Sequence, residues 1–186
     1  MDAIYGRPII TQEMMKKRVK ELGRQITQDY RGREILMVGV LKGAFAFYAD
    51  LIRAIHLPIR IDFVMVSSRH SKPGGAKIKV ISDLTEDIAG QDVLLVEDIV
   101  DSGMTLSHLK KRLLARKPRS LKVCVLLDKP ERRKVKTKID YFGFTIPNKY
   151  VVGYGLDYRN KYRNLPYIAV LENVEQADEL FYWQGD

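Results

Sequence analysis

Three acids and a small-residue turn share one short stretch of this chain, Val93–Leu106 (VLLVEDIVDSGMTL). Four apolar residues, Val93 to Val96, run straight into Glu97 and Asp98. Ile99 and Val100 follow, then Asp101, then Ser102-Gly103-Met104-Thr105. An unbroken apolar run ending in turn chemistry reads as a buried parallel strand. A turn of glycine and small hydroxyls can aim successive backbone N–H groups at one anion, with the start of a helix behind it. Acids at a strand end beside a phosphate-sized cradle suit a substrate that carries hydroxyls, a metal and a phosphate together. That combination points to a sugar phosphate. On these residues alone a plainer reading competes: a solvated acidic strand end leading into an ordinary N-capped helix.

Further residues have the types for a shared site. Leu41-Lys42-Gly43-Ala44 ends one apolar run and enters a helical pattern, where a lysine and exposed amides can hold a pyrophosphate. The plain alternative is a solvated turn lysine. Leu127-Asp128-Lys129-Pro130 follows another apolar run, at the strand end where open α/β sheets place ligands. In Ile146–Asp157 (IPNKYVVGYGLD), Tyr150 offers a flat face for stacking a ring, and Val151 can present its backbone to a base edge. The three histidines show no ligand spacing with each other or with cysteine. Cys124 sits inside an apolar strand pattern and reads as a small core residue.

Positioning such loops takes alternating strands and helices. Thr11 is a candidate N-cap for a helix running to about Tyr30, with Met15, Val19, Leu22 and Ile26 on one face. Strand patterns cover Glu34–Leu41, Ile59–Ser67, Lys77–Ser82, Ser120–Leu127, Tyr141–Ile146 and Val151–Tyr154, and Tyr167–Leu171 is expected to close the sheet. Helical patterns cover Gly43–Ile55 and Met104–Arg116. The expected fold is α/β: a mostly parallel twisted sheet with helices on both faces, plus a small hood formed by the terminal segments. Pro, Gly and charge between Arg69 and Ala76 indicate a loop joining two antiparallel strands. The tail from Glu172 turns acidic but keeps Leu180, Phe181 and Trp183.

The 186 residues are read as one domain, 1–186, with a mobile loop at about 68–77 and the tail at about 172–186. Hydrophobic content of 46% beside 30% charge excludes wholesale disorder. No apolar run approaches the roughly 20 residues a membrane span needs. With no secretory pattern at the N-terminus and a single cysteine, a cytoplasmic setting is expected. The net charge of +9 fits nucleic acid, and equally an enzyme that gathers a highly anionic substrate.

Val93–Leu106 resembles the 5-phosphoribosyl-1-pyrophosphate signature of the type I phosphoribosyltransferases. Leu41-Lys42-Gly43, Lys129 and the run IPNKYVVGYGLDYRNKYR extend the resemblance over about Ile9–Val170, most strongly to bacterial members that use hypoxanthine. The resemblance implies Mg2+-dependent transfer of phosphoribose to hypoxanthine or guanine, releasing pyrophosphate through an oxocarbenium-like transition state. It implies that Glu97 and Asp98 face the ribose hydroxyls, and that Ser102, Gly103, Met104 and Thr105 hold the 5′-phosphate. It makes Asp101 the catalytic base. It gives the pyrophosphate to Leu41, Lys42, Gly43 and Arg163, and the purine to Ile99, Lys129, Tyr150, Val151 and Asp157. Mg2+ would fall to Asp157, with Glu97 and Asp98 reaching it directly or through water. A homodimer or homotetramer with no membrane or nucleic-acid partner is implied. The chain departs from the family in its lid: Ser67-Ser68-Arg69 places Arg69 where relatives carry a tyrosine. Two rival readings remain at this stage, a xanthine-preferring enzyme and an RNA-binding regulator on the same fold.

Overall fold

The computed structural model describes residues 5–69 and 77–172, with backbone alone at 68, 69 and 77. In chain order the elements are β1 (Tyr5–Ile10), α1 (Gln12–Asp29), β2 (Ile35–Leu41), α2 (Phe45–Ala54), β3 (Ile59–Arg69), β4 (Lys77–Ser82), β5 (Asp92–Val100), α3 (Met104–Leu114), β6 (Ser120–Asp128), β7 (Tyr141–Thr145), β8 (Val151–Val152) and β9 (Ile168–Leu171). A six-stranded sheet runs β4-β3-β2-β5-β6-β7, parallel except for the antiparallel β3–β4 pair.

Strand alternation divides the core. Met37 on β2, Leu94 and Val96 on β5 and Cys124 on β6 face α1 and α2, joined there by Met15, Val19, Leu22, Ile26, Phe47 and Leu51. Their neighbours Leu36, Val38, Val93, Leu95, Val123 and Val125 face the other way, against Leu106, Leu109 and Leu113 of α3. Both faces of the central strands are covered, which is why they read as unbroken apolar runs. Thr11 caps α1 as expected, its hydroxyl accepting the Met14 N–H at 3.3 Å.

Three details differ from the sequence expectations. First, β5 does not stop at the acids. Its ladder with β2 ends at Gly39–Val96, but pairing with β6 continues to Val100–Asp128. Glu97 and Asp98 therefore stand where β5 has left one neighbour and kept the other. Second, Tyr167–Leu171 does not close the main sheet. β9 lies between β1 and β8 in a separate antiparallel sheet, the hood. Val151-Val152 belongs there too, because its short ladder pairs with Val170-Ala169. The N-terminal strand β1, unread in the sequence, supplies the third hood strand. Third, β3 runs past Ser67, its expected end, through Ser68 and Arg69, pairing Ser68 with Ile78 and Arg69 with Lys77. The sequence pattern places those two in the lid loop. The remainder of that loop, 70–76, and the tail 173–186 lie outside the described residues, as do the side chains of Ser68 and Arg69.

Candidate active site

Four segments leave the sheet at the carboxyl ends of neighbouring parallel strands: Lys42–Ala44 after β2, Asp101–Gly103 after β5, Lys129 after β6 and Ile146–Tyr150 after β7. The connections from β2 and β5 diverge to opposite sides, so a crevice opens between these two strands, the place where open α/β sheets bind ligands.

The acids sit at that opening. Glu97 is 8% exposed, and its Oε2 is buried without a hydrogen-bond partner among the described residues. Burial, then the neighbouring Asp98 charge, pushes the Glu97 carboxyl well above its ordinary value of 4.5. Burial likewise raises Asp98. Gly43 sits hard against this pair: a Cβ added there would fall 1.6 Å from Asp98 Oδ2. The Leu41–Lys42 peptide is cis, and Lys42 is exposed.

The turn into α3 follows. Gly103 holds φ +80°, and a Cβ on it would meet the Val135 carbonyl at 2.6 Å. Ser102 Oγ accepts the Met104 N–H at 3.4 Å. Behind the turn, the Lys134 and Val135 amides both donate to Ser102 O at 3.0 Å, so the basic stretch after β6 braces the cradle. Left-handed Gly103 followed by the first amides of a helix makes a concave row of donors.

Asp101 is half-buried. Arg132 Nε lies 2.8 Å from its Oδ1, an ion pair without hydrogen-bond alignment, and Arg132 Nη1 reaches Asn148 Oδ1 at 3.4 Å. Lys129 is buried, and its ammonium donates to the Lys149 carbonyl at 2.7 Å. Burial lowers its pKa, against the pull of Asp101's charge. Lys129 thus faces the segment that carries Tyr150 and Val151. Tyr150 is 53% exposed, its hydroxyl donating to Asp157 O at 3.2 Å and its ring edge-on to Tyr158 at 5.6 Å. Val151 is buried in β8, and Ile99 is half-buried beside the α1–α2 core.

Asp157 accepts the Asn160 N–H at 2.7 Å and pairs with Arg163 at 2.8 Å. Arg163 Nη1 also donates to Gly155 O at 2.7 Å. Gly155, with φ +101°, lies so close to Gly43 that a Cβ would sit 2.1 Å from the Gly43 carbonyl. The structure therefore brings Arg163 beside the Lys42–Gly43 loop.

Among the described residues no three Asp, Glu, His or Cys side chains converge to hold a metal alone, so Glu97, Asp98 and Asp157 do not form a closed cage. An orphaned carboxylate oxygen on Glu97 and a half-buried Asp157 fit an ion that keeps its waters and takes further oxygens from phosphate, the habit of Mg2+. The sequence reading missed Arg132, Asn148, Asp50 and the role of Tyr154. Tyr154 lay inside a motif that was read, whereas Asp50 is mid-helix and carried no signal.

Known proteins match this arrangement. The family model for the phosphoribosyl transferase domain covers residues 9–159. Hypoxanthine phosphoribosyltransferase of Salmonella typhimurium is 48% identical over 164 residues, 87% of this chain and 92% of that protein. Hypoxanthine-guanine phosphoribosyltransferase of Bacillus subtilis is 48% identical over 165 residues, 88% of this chain and 92% of its own. A crystal structure of a Staphylococcus aureus hypoxanthine phosphoribosyltransferase superposes with a TM-score of 0.88 at 44% identity, covering 92% of this chain and 94% of that one. On sequence and fold alike, the chain belongs to the type I phosphoribosyltransferase family, in its bacterial hypoxanthine(-guanine) branch.

Proposed function

We propose that this protein joins hypoxanthine or guanine to 5-phosphoribosyl-1-pyrophosphate, yielding IMP or GMP and pyrophosphate in purine salvage. The observation that carries the reading is the order of loops along one sheet rim. From β2 to β7 the rim presents Lys42–Gly43, then Glu97–Thr105, then Lys129, then Tyr150. A ribosyl donor laid across it has its pyrophosphate at one end, its ribose and 5′-phosphate in the middle, and the incoming base at the other.

The amides of Ser102 to Thr105 hold the 5′-phosphate. Glu97 and Asp98 receive the ribose hydroxyls and favour the positive charge that grows on the sugar as the C1–O bond lengthens. Lys42, with the Leu41 and Gly43 backbone, and Arg163 take the negative charge of the departing pyrophosphate. Asp157, with Glu97 and Asp98 directly or through water, would hold Mg2+, which would add to the neutralisation of that anion. Ile99 and Tyr150 flank the purine ring, Val151 meets its edge with backbone groups, and Lys129 donates to the 6-oxo oxygen. Asp101 accepts the N7 proton, which becomes acidic as N9 bonds to the sugar.

The same reading makes residues 1–186 a single-domain cytoplasmic enzyme, working as a homodimer or homotetramer with Ser67–Arg69 leading into its lid. A single cysteine, buried as a free thiol at Cys124, is in keeping with the cytoplasmic setting. Among the described residues no helix is long and apolar enough to cross a membrane. Hypoxanthine, guanine, xanthine and adenine assayed side by side with the ribosyl donor and Mg2+ test the proposal. Turnover concentrated on hypoxanthine and guanine is expected. Preference for xanthine would move the protein to its rival reading, and no nucleotide from any base would end the proposal.

A further inference from the structure

Tyr154 ties two parts of the rim that are far apart in sequence. Its hydroxyl donates to Asp50 Oδ2 at 2.6 Å, and Asp50 lies on α2, the helix that begins just after Lys42–Gly43. The backbone on either side of Tyr154 is fixed as well. Its own N–H donates to Leu165 O at 2.8 Å, and the Gly155 N–H donates to Arg163 O at 3.0 Å. Gly155 is packed directly on the Gly43 carbonyl, while its own carbonyl accepts from Arg163 Nη1. Tyr154 holds a left-handed φ of 49°, a conformation that a tyrosine seldom adopts without surrounding contacts. Burial first, and then the Asp50 bond, raise the phenol's pKa, so it keeps the proton it donates.

We infer that Tyr154 is a positioning residue for the pyrophosphate half of the site: through Asp50 it locks Gly155 against Gly43, which fixes the spacing between Arg163 and the Lys42–Gly43 loop. It touches no reacting atom. Its loss leaves the phosphate turn, Asp101 and Lys129 in place, because those groups hang from β5 and β6, and it leaves Tyr150 held by the Leu171 N–H on its carbonyl at 2.9 Å and by the β8–β9 ladder that follows it. The loss loosens only the two cationic groups that must close on one anion together. A displacement well under the length of a hydrogen bond weakens such a clamp. The inference rests on the reaction proposed above.

The reaction runs both ways, so the test compares kinetics in both directions for the whole protein and the variants Tyr154→Phe, Asp50→Ala and Asp50→Asn. Tyr141→Phe is the control. It removes a similar phenol–carboxylate bond, Tyr141 to Asp29 at 2.5 Å, at the amino end of β7, opposite the rim that carries the site. Tyr154→Phe and Asp50→Ala should raise KM for the ribosyl donor and for pyrophosphate by about five- to tenfold, the size of one charged hydrogen bond partly transmitted. KM for hypoxanthine and for IMP should stay within about twofold. Asp50→Asn keeps an acceptor for the phenol and should recover much of the loss, and Tyr141→Phe should lower Tm without splitting the KM values. Equal changes for all four ligands, no change in any, or the same split in Tyr141→Phe would each overturn the inference. Wild-type protein that forms no nucleotide would instead defeat the proposed reaction itself.

Discussion

Glu97 shows what a reactive carboxylate costs its fold. Its raised pKa means that the folded protein, without substrate, holds a proton that the unfolded chain has already released. This group therefore favours the fold below the ordinary value of 4.5, and the advantage is lost as pH climbs toward the raised folded value. Glu97→Gln removes that ionisation. In thermal melts, the variant's Tm minus the wild type's should become more positive between about pH 4 and pH 8 while turnover falls. A flat difference would mean Glu97 is not held above its ordinary range. Asp101→Asn should cut kcat by about 10²–10⁴-fold with donor KM within about twofold, read from steady-state kinetics. Lys129→Ala should weaken hypoxanthine and guanine by about 1.5–3 kcal/mol and adenine far less, since only the 6-oxo bases place an acceptor at position 6 for the ammonium. Equal losses for all bases would leave Lys129 only its bond to the Lys149 carbonyl. Much of this scale was legible in the chain, because acids, glycines and a lysine at fixed spacings recur together for a chemical reason. Arg132 on Asp101 and Tyr154 on Asp50 were not, because those contacts bridge 31 and 104 positions of sequence and nothing local marks them.

At the scale of elements, the crevice exists because β5 parts from β2 at Val96 while staying paired to β6 through Val100. The apolar run gave the strand but not its end, since pairing to one neighbour can carry a strand past acids that face an opening. The hood was harder to read. β8 is two residues long, and β1 contains Gly6 and Pro8, so neither has the length or alternation that marks a strand. Gly103 joins β5 to α3 with a left-handed backbone and the Val135 carbonyl close behind it. Gly103→Ala adds a backbone collision to a strained φ, which should cost about 1–3 kcal/mol in a denaturation midpoint. It should also raise donor KM, because the amides it distorts are those proposed to hold the 5′-phosphate. A variant with wild-type donor KM would detach that turn from the phosphate.

At the scale of the whole molecule, the basic excess is spread rather than gathered. Arg112 and Arg116 are spent on Asp83, Arg33 and Arg119 on Asp92, and Arg133 on Asp128. What remains gives the surface a positive field that suits a donor carrying three phosphates. The sheet concentrates that attraction by ending four parallel strands on one rim. The measurement that bears most directly on the account is a crystal structure with IMP bound. The 5′-phosphate should lie within hydrogen-bond distance of the Ser102–Thr105 amides, the ribose hydroxyls against Glu97 and Asp98, and the 6-oxo oxygen on Lys129. Nucleotide bound elsewhere, with packed side chains filling the space over the Ser102–Thr105 turn, would contradict it.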